Sequence, residues 1–149
     1  MATVHKTNQL YQEIMGVEAP WEVTGVTMDN EAGKLTIRIE HNKEIILPCP
    51  ICGQNTSRYD HWVRVLRHLD TCQYETSLIV NVPRIECKSD KVHQIEIPFA
   101  EKHSRFSRKF EAAILESLIK NKSVSKVAEN FKLSWEEVNG IMQREKNKA

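Results

Sequence analysis

The spacing of apolar residues changes once along this chain, near Pro98. Before it, apolar and polar residues alternate, as in Leu35-Thr36-Ile37-Arg38-Ile39-Glu40. That period belongs to a half-buried strand. After it, Phe110, Ala113, Ile114 and Leu118 recur at helical spacing. The expected class is therefore α+β. A small antiparallel sheet occupies residues 1–98, with a short helix before it, and an all-helical domain occupies residues 99–149.

Charge divides at the same place. Residues 1–98 hold 10 Lys/Arg against 13 Asp/Glu, a net of −3, and residues 99–149 hold 11 against 7, a net of +4. The whole-chain value of +1 excludes a uniformly basic coat and an acidic tail. Apolar residues make up 40% of the 149, enough for a folded core. No apolar run approaches the roughly 20 residues that span a bilayer. The polar stretch Met1 to Leu10 lacks a signal peptide's apolar centre. A cytoplasmic protein without membrane contact is expected.

The cysteines are Cys49, Cys52, Cys72 and Cys87. Cys49-Pro50-Ile51-Cys52-Gly53 reads as a metal knuckle, in which two thiolates face one ion and glycine permits the turn. A redox Cys-x-x-Cys starts a helix, whereas this pair follows Ile45-Ile46-Leu47-Pro48. Cys87 and Asp90 repeat the spacing, and His93 is the alternative fourth ligand. Cys72, alone in a strand-like run, is the poorer donor. A structural zinc ion on Cys49, Cys52, Cys87 and Asp90 competes with a degraded site of ordinary core thiols.

The elements follow from local signals. Asn8 to Met15 suits a helix with Leu10, Tyr11, Ile14 and Met15 near one face, ended by Gly16. Trp21 to Met28 and Leu35 to Glu40 form a hairpin about residues 29–33. Ile45 to Leu47 is a third strand. In the segment Tyr59 to Asp70, Val63, Val65 and Leu69 are expected inward, and Arg64 and Arg67-His68 outward. Tyr74 to Val82, Arg84 to Glu86 and Val92 to Ile97 complete the strands. A small sheet with a knuckle at each end of a long hairpin is the zinc-ribbon arrangement.

Three helices follow. Ser107 caps a helix over Arg108 to Lys120, and Ser123 one over Val124 to Asn130. Ser134-Trp135-Glu136-Glu137 is a capping box opening a third, Trp135 to about Lys146. Val127, Ala128, Phe131, Leu133, Val138 and Ile141 fall where a tri-helical helix-turn-helix places its core. Lys132 stands at the turn position usually held by glycine and calls for a left-handed backbone. The third helix would then read DNA through Asn139, Gln143 and Arg144, with Ser134 at its start. Lys122 and Lys126 would lie near phosphates. A three-helix packing module without DNA contact is the competing reading. No nucleophile elbow, phosphate loop or catalytic acid spacing is present.

The ordered set of motifs resembles the N-terminal region of ISL3 family transposases. It includes Cys49-Pro50-Ile51-Cys52-Gly53, Tyr59-Asp60-His61, Arg67-His68-Leu69-Asp70 and Val82-Pro83-Arg84-Ile85-Glu86-Cys87. It continues with Ile97-Pro98-Phe99-Ala100, Ser104-Arg105-Phe106-Ser107, Val124-Ser125-Lys126-Val127-Ala128 and Leu133-Ser134-Trp135-Glu136-Glu137-Val138. The resemblance implies a region that recognises insertion-sequence ends. It implies no enzyme activity in this chain, because the family's DDE-type nuclease domain lies C-terminal to the region. Double-stranded DNA is the expected partner, and a homodimer is an admissible assembly. Arg64, Arg67, Arg105, Arg108 and Lys109 are expected on the DNA backbone. A protein-interaction or regulatory module is the alternative. Asp90, where the family carries Cys or His, and Lys132, in place of the turn glycine, are departures.

Overall fold

The computed structural model describes residues 2–148. Its elements are α1 (Ala2–Met15), β1 (Trp21–Asp29), β2 (Lys34–His41), β3 (Leu47–Pro48), β4 (Asn55–Arg67), β5 (Glu75–Cys87) and β6 (Lys91–Gln94). Helices α2 (Arg108–Asn121), α3 (Val124–Phe131) and α4 (Trp135–Lys148) follow. The class is α+β, with a six-stranded sheet and four helices. No described helix is long and apolar enough to cross a membrane.

The sheet order is β1-β2-β5-β4-β3, with β6 also paired to β5. It is mixed rather than wholly antiparallel. β5 returns from the β4–β5 hairpin and inserts between β2 and β4, so it runs parallel to β2 from Lys34↔Glu75 to Glu40↔Asn81. Alternation within a strand carries no trace of such a non-local pairing. The two segments expected on either side of Pro83 form one continuous strand. Pro83 is tolerated inside it, its carbonyl still accepting from Ile95 N–H at 3.2 Å.

β5 changes its buried face midway. Thr76, Leu78, Val80 and Val82 are buried, and then Pro83, Ile85 and Cys87. Successive side chains of a strand point to opposite faces, so its two halves serve separate cores. Leu78, Val80 and Val82 join Leu35, Ile37, Ile39 and Leu66 in the main core, which α1 helps cover through Tyr11 and Met15. Ile85 and Cys87 join Leu47 and Cys49 in a small core beneath the knuckle. A break in the β4 register between Arg58 and Asp60 accompanies the change.

Several expectations are corrected. β4 faces the other way: Val63 and Val65 are 52% and 58% exposed while Leu66 is fully buried. Val63, Val65 and Leu66 offer an apolar residue to either phase, and the pairing Leu66↔Leu78 and Arg64↔Val80 selects the second. α1 begins at Ala2 rather than Asn8, and Leu10 and Ile14 are exposed. Tyr11 and Met15 pack on the sheet, and Gln12 accepts from Val23 N–H of β1 at 3.1 Å. Ile45 and Ile46 are exposed and precede β3, which is confined to Leu47–Pro48. Cys72 lies in a tight turn rather than a strand: Thr71 and Tyr74 exchange two backbone bonds around Cys72 and Gln73, whose φ values are 47° and 74°.

Helices α2, α3 and α4 close on Phe110, Ile114, Val127, Ala128, Val138 and Ile141, with Leu69 of the β4–β5 connection packed alongside. The caps fall at the residues expected. Ser107 accepts from Phe110 N–H and Ser123 from Lys126 N–H. Ser134 and Glu137 form the reciprocal box at 2.9 and 3.1 Å. Segment 105–107 bonds to the end of β4, Arg67 N–H to Arg105 O and Ser107 N–H to Arg67 O, both 2.9 Å.

Candidate metal centre and nucleic-acid interface

The β3–β4 connection turns tightly through the first knuckle. Cys49 N–H bonds to Gln54 O and Gly53 N–H to Cys49 O, both at 2.8 Å, and Gly53 takes a φ of +77°. A side chain rarely adopts that φ, which explains the glycine. The β5–β6 turn carries Cys87 and Asp90 to the same point.

One donor atom from each of Cys49, Cys52, Cys87 and Asp90 lies within 4.8 Å of the others. Cys52 and Cys87 sulfurs are 3.7 Å apart. A carboxylate oxygen of Asp90 is 3.4 Å from Cys49 Sγ and 3.6 Å from Cys87 Sγ. Tetrahedral zinc with its usual bond lengths places two sulfurs about 3.8 Å apart and a sulfur and a carboxylate oxygen about 3.6 Å apart. The donor set therefore fits zinc in chemistry and spacing. His93 is not among the converging groups; its ring bonds to the main-chain carbonyl of Asp90. Cys72 lies in the exposed turn at the other end of the β4–β5 hairpin.

Protons are shared unevenly among Cys52, Cys87 and Asp90. Backbone N–H groups of Asp90 and Ser89 hold the Cys87 thiol below its usual range. A backbone bond from Gln54 pulls the Cys52 thiol the same way, but Asp90 and the neighbouring sulfurs outweigh it and push that thiol up to about 12. Bonds from the Cys52, Cys49 and Cys87 thiols keep Asp90 ionised. A bound divalent ion would replace those protons and tie the two turns together.

In the helical part, the turn between α3 and α4 closes with Lys132 in the left-handed conformation, φ 57°. Leu133 N–H bonds to Ala128 O at 2.8 Å. Buried Val138 and Ile141 fix the inner face of α4. Gly140 and Gln143 are exposed, with Asn139 half-buried and Trp135 exposed beside them. The Ser134 hydroxyl is engaged in the cap.

The basic residues divide into two groups. Arg64 turns inward and donates to the carbonyls of Glu101 and Ser104 at 3.1 and 2.7 Å. Arg67 lies over the Phe110 ring and near Glu75. Arg108 is paired with Glu101 at 2.7 Å. Arg144 is ion-paired with buried Glu111. Arg64 and Arg67 tie β4 to the segment and helices that follow, Arg144 ties α4 to α2, and Arg108 ties α2 to the segment before it. Arg105, Lys109, Lys122 and Lys126 are exposed, although Lys109 also donates to Met15 O at 3.0 Å. Glu101 and Glu111 had no place among the sequence candidates. An acid at position 111, directly after core residue Phe110, was the one available signal of a buried partner.

Comparison with known proteins finds two family matches along the chain. The helix-turn-helix domain of transposase family ISL3 matches residues 95–145. The zinc-finger of transposase IS204/IS1001/IS1096/IS1165 matches residues 48–90. The transposase for insertion sequence element IS1557 is 22% identical over 142 residues in two Mycobacterium tuberculosis strains, CDC 1551 / Oshkosh and H37Rv. That alignment covers 91% of this chain and 32% of the relative, so the chain spans about a third of the relatives' length. No solved structure matches. With both matches in order on one chain, residues 48–145 carry the zinc-finger and helix-turn-helix domains of the N-terminal region of ISL3 family transposases.

Proposed function

We propose that this chain is the DNA-targeting part of an ISL3-type transposase and binds the duplex ends of its insertion element. The carrying observation is the outward face of α4, where exposed Gly140 and Gln143 and half-buried Asn139 stand on a helix held from behind by Val138, Ile141 and the Arg144–Glu111 pair. Asn and Gln side chains can read adenine edges in the major groove. Arg105, Lys109, Lys122 and Lys126 supply phosphate contacts. Arg64, Arg67, Arg108 and Arg144, engaged within the protein, position the helices instead. Zinc on Cys49, Cys52, Cys87 and Asp90 is structural and keeps the β3–β4 and β5–β6 turns in register. The activity is binding, without strand cleavage by these residues.

Titration of labelled element-end duplex and random duplex at two salt concentrations tests the reading. Tighter binding to the end duplex, weakening with salt on both, is expected. Equal and negligible binding to both at low salt would sink it.

A second reading draws on Val63 and Val65, which share one face of β4 and stand exposed there. Such a surface suits a protein partner. Retained DNA affinity in a Val63→Ser/Val65→Ser variant would separate it from the DNA face.

A further inference from the structure

Lys102, His103 and Arg105 are exposed. Among the described residues, none forms a hydrogen bond or ion pair with their side chains. Yet the backbone that carries them is held on several sides. Arg64 of β4 grips the carbonyls of Glu101 and Ser104. Ser104 N–H closes a turn on Glu101 O at 3.1 Å. The buried Ser104 hydroxyl donates to Glu111 at 2.9 Å and accepts from Phe106 N–H at 3.1 Å. His103 takes a φ of +67°. Three cationic or hydrogen-bonding side chains therefore project from a fixed turn.

That turn stands beside α4. A cleft of about 360 Å³ has Lys102, His103 and Arg105 on one wall and Glu136, Gly140 and Arg144 on the other. A Cβ built on Gly140 would meet no atom within 4 Å. The α4 wall is thus open at its middle.

We propose that the turn over residues 102–105 is a phosphate clamp for the DNA strand bordering the groove that α4 enters. Lys102, His103 and Arg105 hold backbone phosphates, and Gly140 lets the sugar-phosphate chain approach α4 closely. The proposal rests on α4 being the recognition helix. A helix about 10–12 Å across fills a major groove about 12 Å wide, so each flank of the helix faces a row of phosphates. The turn occupies the Gly140 flank. Its fixed backbone limits the ordering cost of binding, and each contact releases counterions. Glu136 shares the cleft and opposes phosphate, which restrains the affinity of this flank.

The test uses the full chain with Lys102→Gln, His103→Asn, Arg105→Gln and Glu136→Gln. Each is titrated with element-end and random duplex across a salt series. Lys102→Gln and Arg105→Gln should weaken both duplexes several-fold at low salt and by the same factor. Each should lower the slope of log affinity against log salt by about 0.9. His103→Asn should weaken both duplexes equally, and Glu136→Gln should tighten both. Wild-type binding with unchanged affinity and slope in the variants would overturn the clamp and leave the reading of α4 standing. A changed ratio between the duplexes would also overturn it, because it would mean base contact. Failure of the wild type to bind either duplex would remove both.

Discussion

The Asp90 carboxylate stands 3.4 Å from the Cys49 sulfur across 41 residues of sequence. The fourth donor of this centre is thus an oxygen among three sulfurs. Carboxylate is a harder ligand than thiolate and suits zinc less well. Asp90→Cys should raise zinc affinity at least several-fold, and Asp90→Ala should lower it. Cys49→Ser should release the metal. Metal analysis and chelator competition on the purified chain measure all three. Zinc retained at full stoichiometry by both Cys49→Ser and Asp90→Ala would disprove the assignment.

Arg144 tests what the ion pair with Glu111 does. If it bolts α4 to α2, Arg144→Gln lowers stability by about 2 kcal/mol, the scale of a lost charge-assisted bond to a buried group. Discrimination between end and random duplex should change little. Thermal unfolding and the two-duplex titration together decide it. A large loss of discrimination with unchanged Tm would make Arg144 a base reader.

Lys132 occupies a left-handed position at φ 57° without being glycine. A left-handed conformation costs a side-chain-bearing residue about 1–2 kcal/mol. Lys132→Gly should therefore stabilise the helical part, by about 1 kcal/mol after glycine's greater freedom in the unfolded chain is counted. Denaturant unfolding checks the sign. Destabilisation would mean that the lysine side chain contributes more than the strain removes.

His68 makes stability depend on pH. Burial, reinforced by Lys109, pushes its pKa down to about 4. Its ring Nδ1 lies 2.6 Å from the Ser107 cap hydroxyl. An unfolded histidine takes up a proton near pH 6.5. Between about 4 and 6.5 the unfolded chain therefore binds the extra proton and the folded chain does not. Stability from this group is complete above about pH 6.5 and falls as pH drops toward 4. His41, lowered mainly by its own burial, adds a loss of the same sign. Tm should fall between pH 7 and 5, and His68→Gln should flatten that fall. An unaltered profile in the variant would reject the assignment.

What the sequence disclosed follows the range of the forces involved. Ser107, Ser123 and the Ser134–Glu137 box act within three residues, and each caps the helix it was expected to cap. The knuckle at Cys49 and Cys52 was legible for the same reason. The facing of β4 was not, because Val63, Val65 and Leu66 suit either phase until Leu78 is paired opposite. The parallel β2–β5 pairing joins segments separated by the whole knuckle hairpin. Arg64 and Arg108 look in sequence like phosphate ligands. Only folding brings the carbonyls of residues 101 and 104 and the Glu101 carboxylate to them. At the metal centre, Asp90 repeats the knuckle spacing from Cys87 and His93 lies three residues further on, and the β5–β6 turn brings the carboxylate to the sulfurs.

The exchange of buried faces between Val82 and Pro83 gives β5 an unusual intolerance of length. Inserting or deleting one residue there would rotate everything beyond it by half a pleat. Cys87 would leave the metal cluster, or Leu78 and Val80 would turn out of the main core. Substitutions at this point act locally, whereas a single-codon gain or loss would uncouple the knuckle from the sheet. The chain can lengthen in the exposed turns at residues 29–33 and 42–46, but across this junction its residue count is fixed by the two cores it serves.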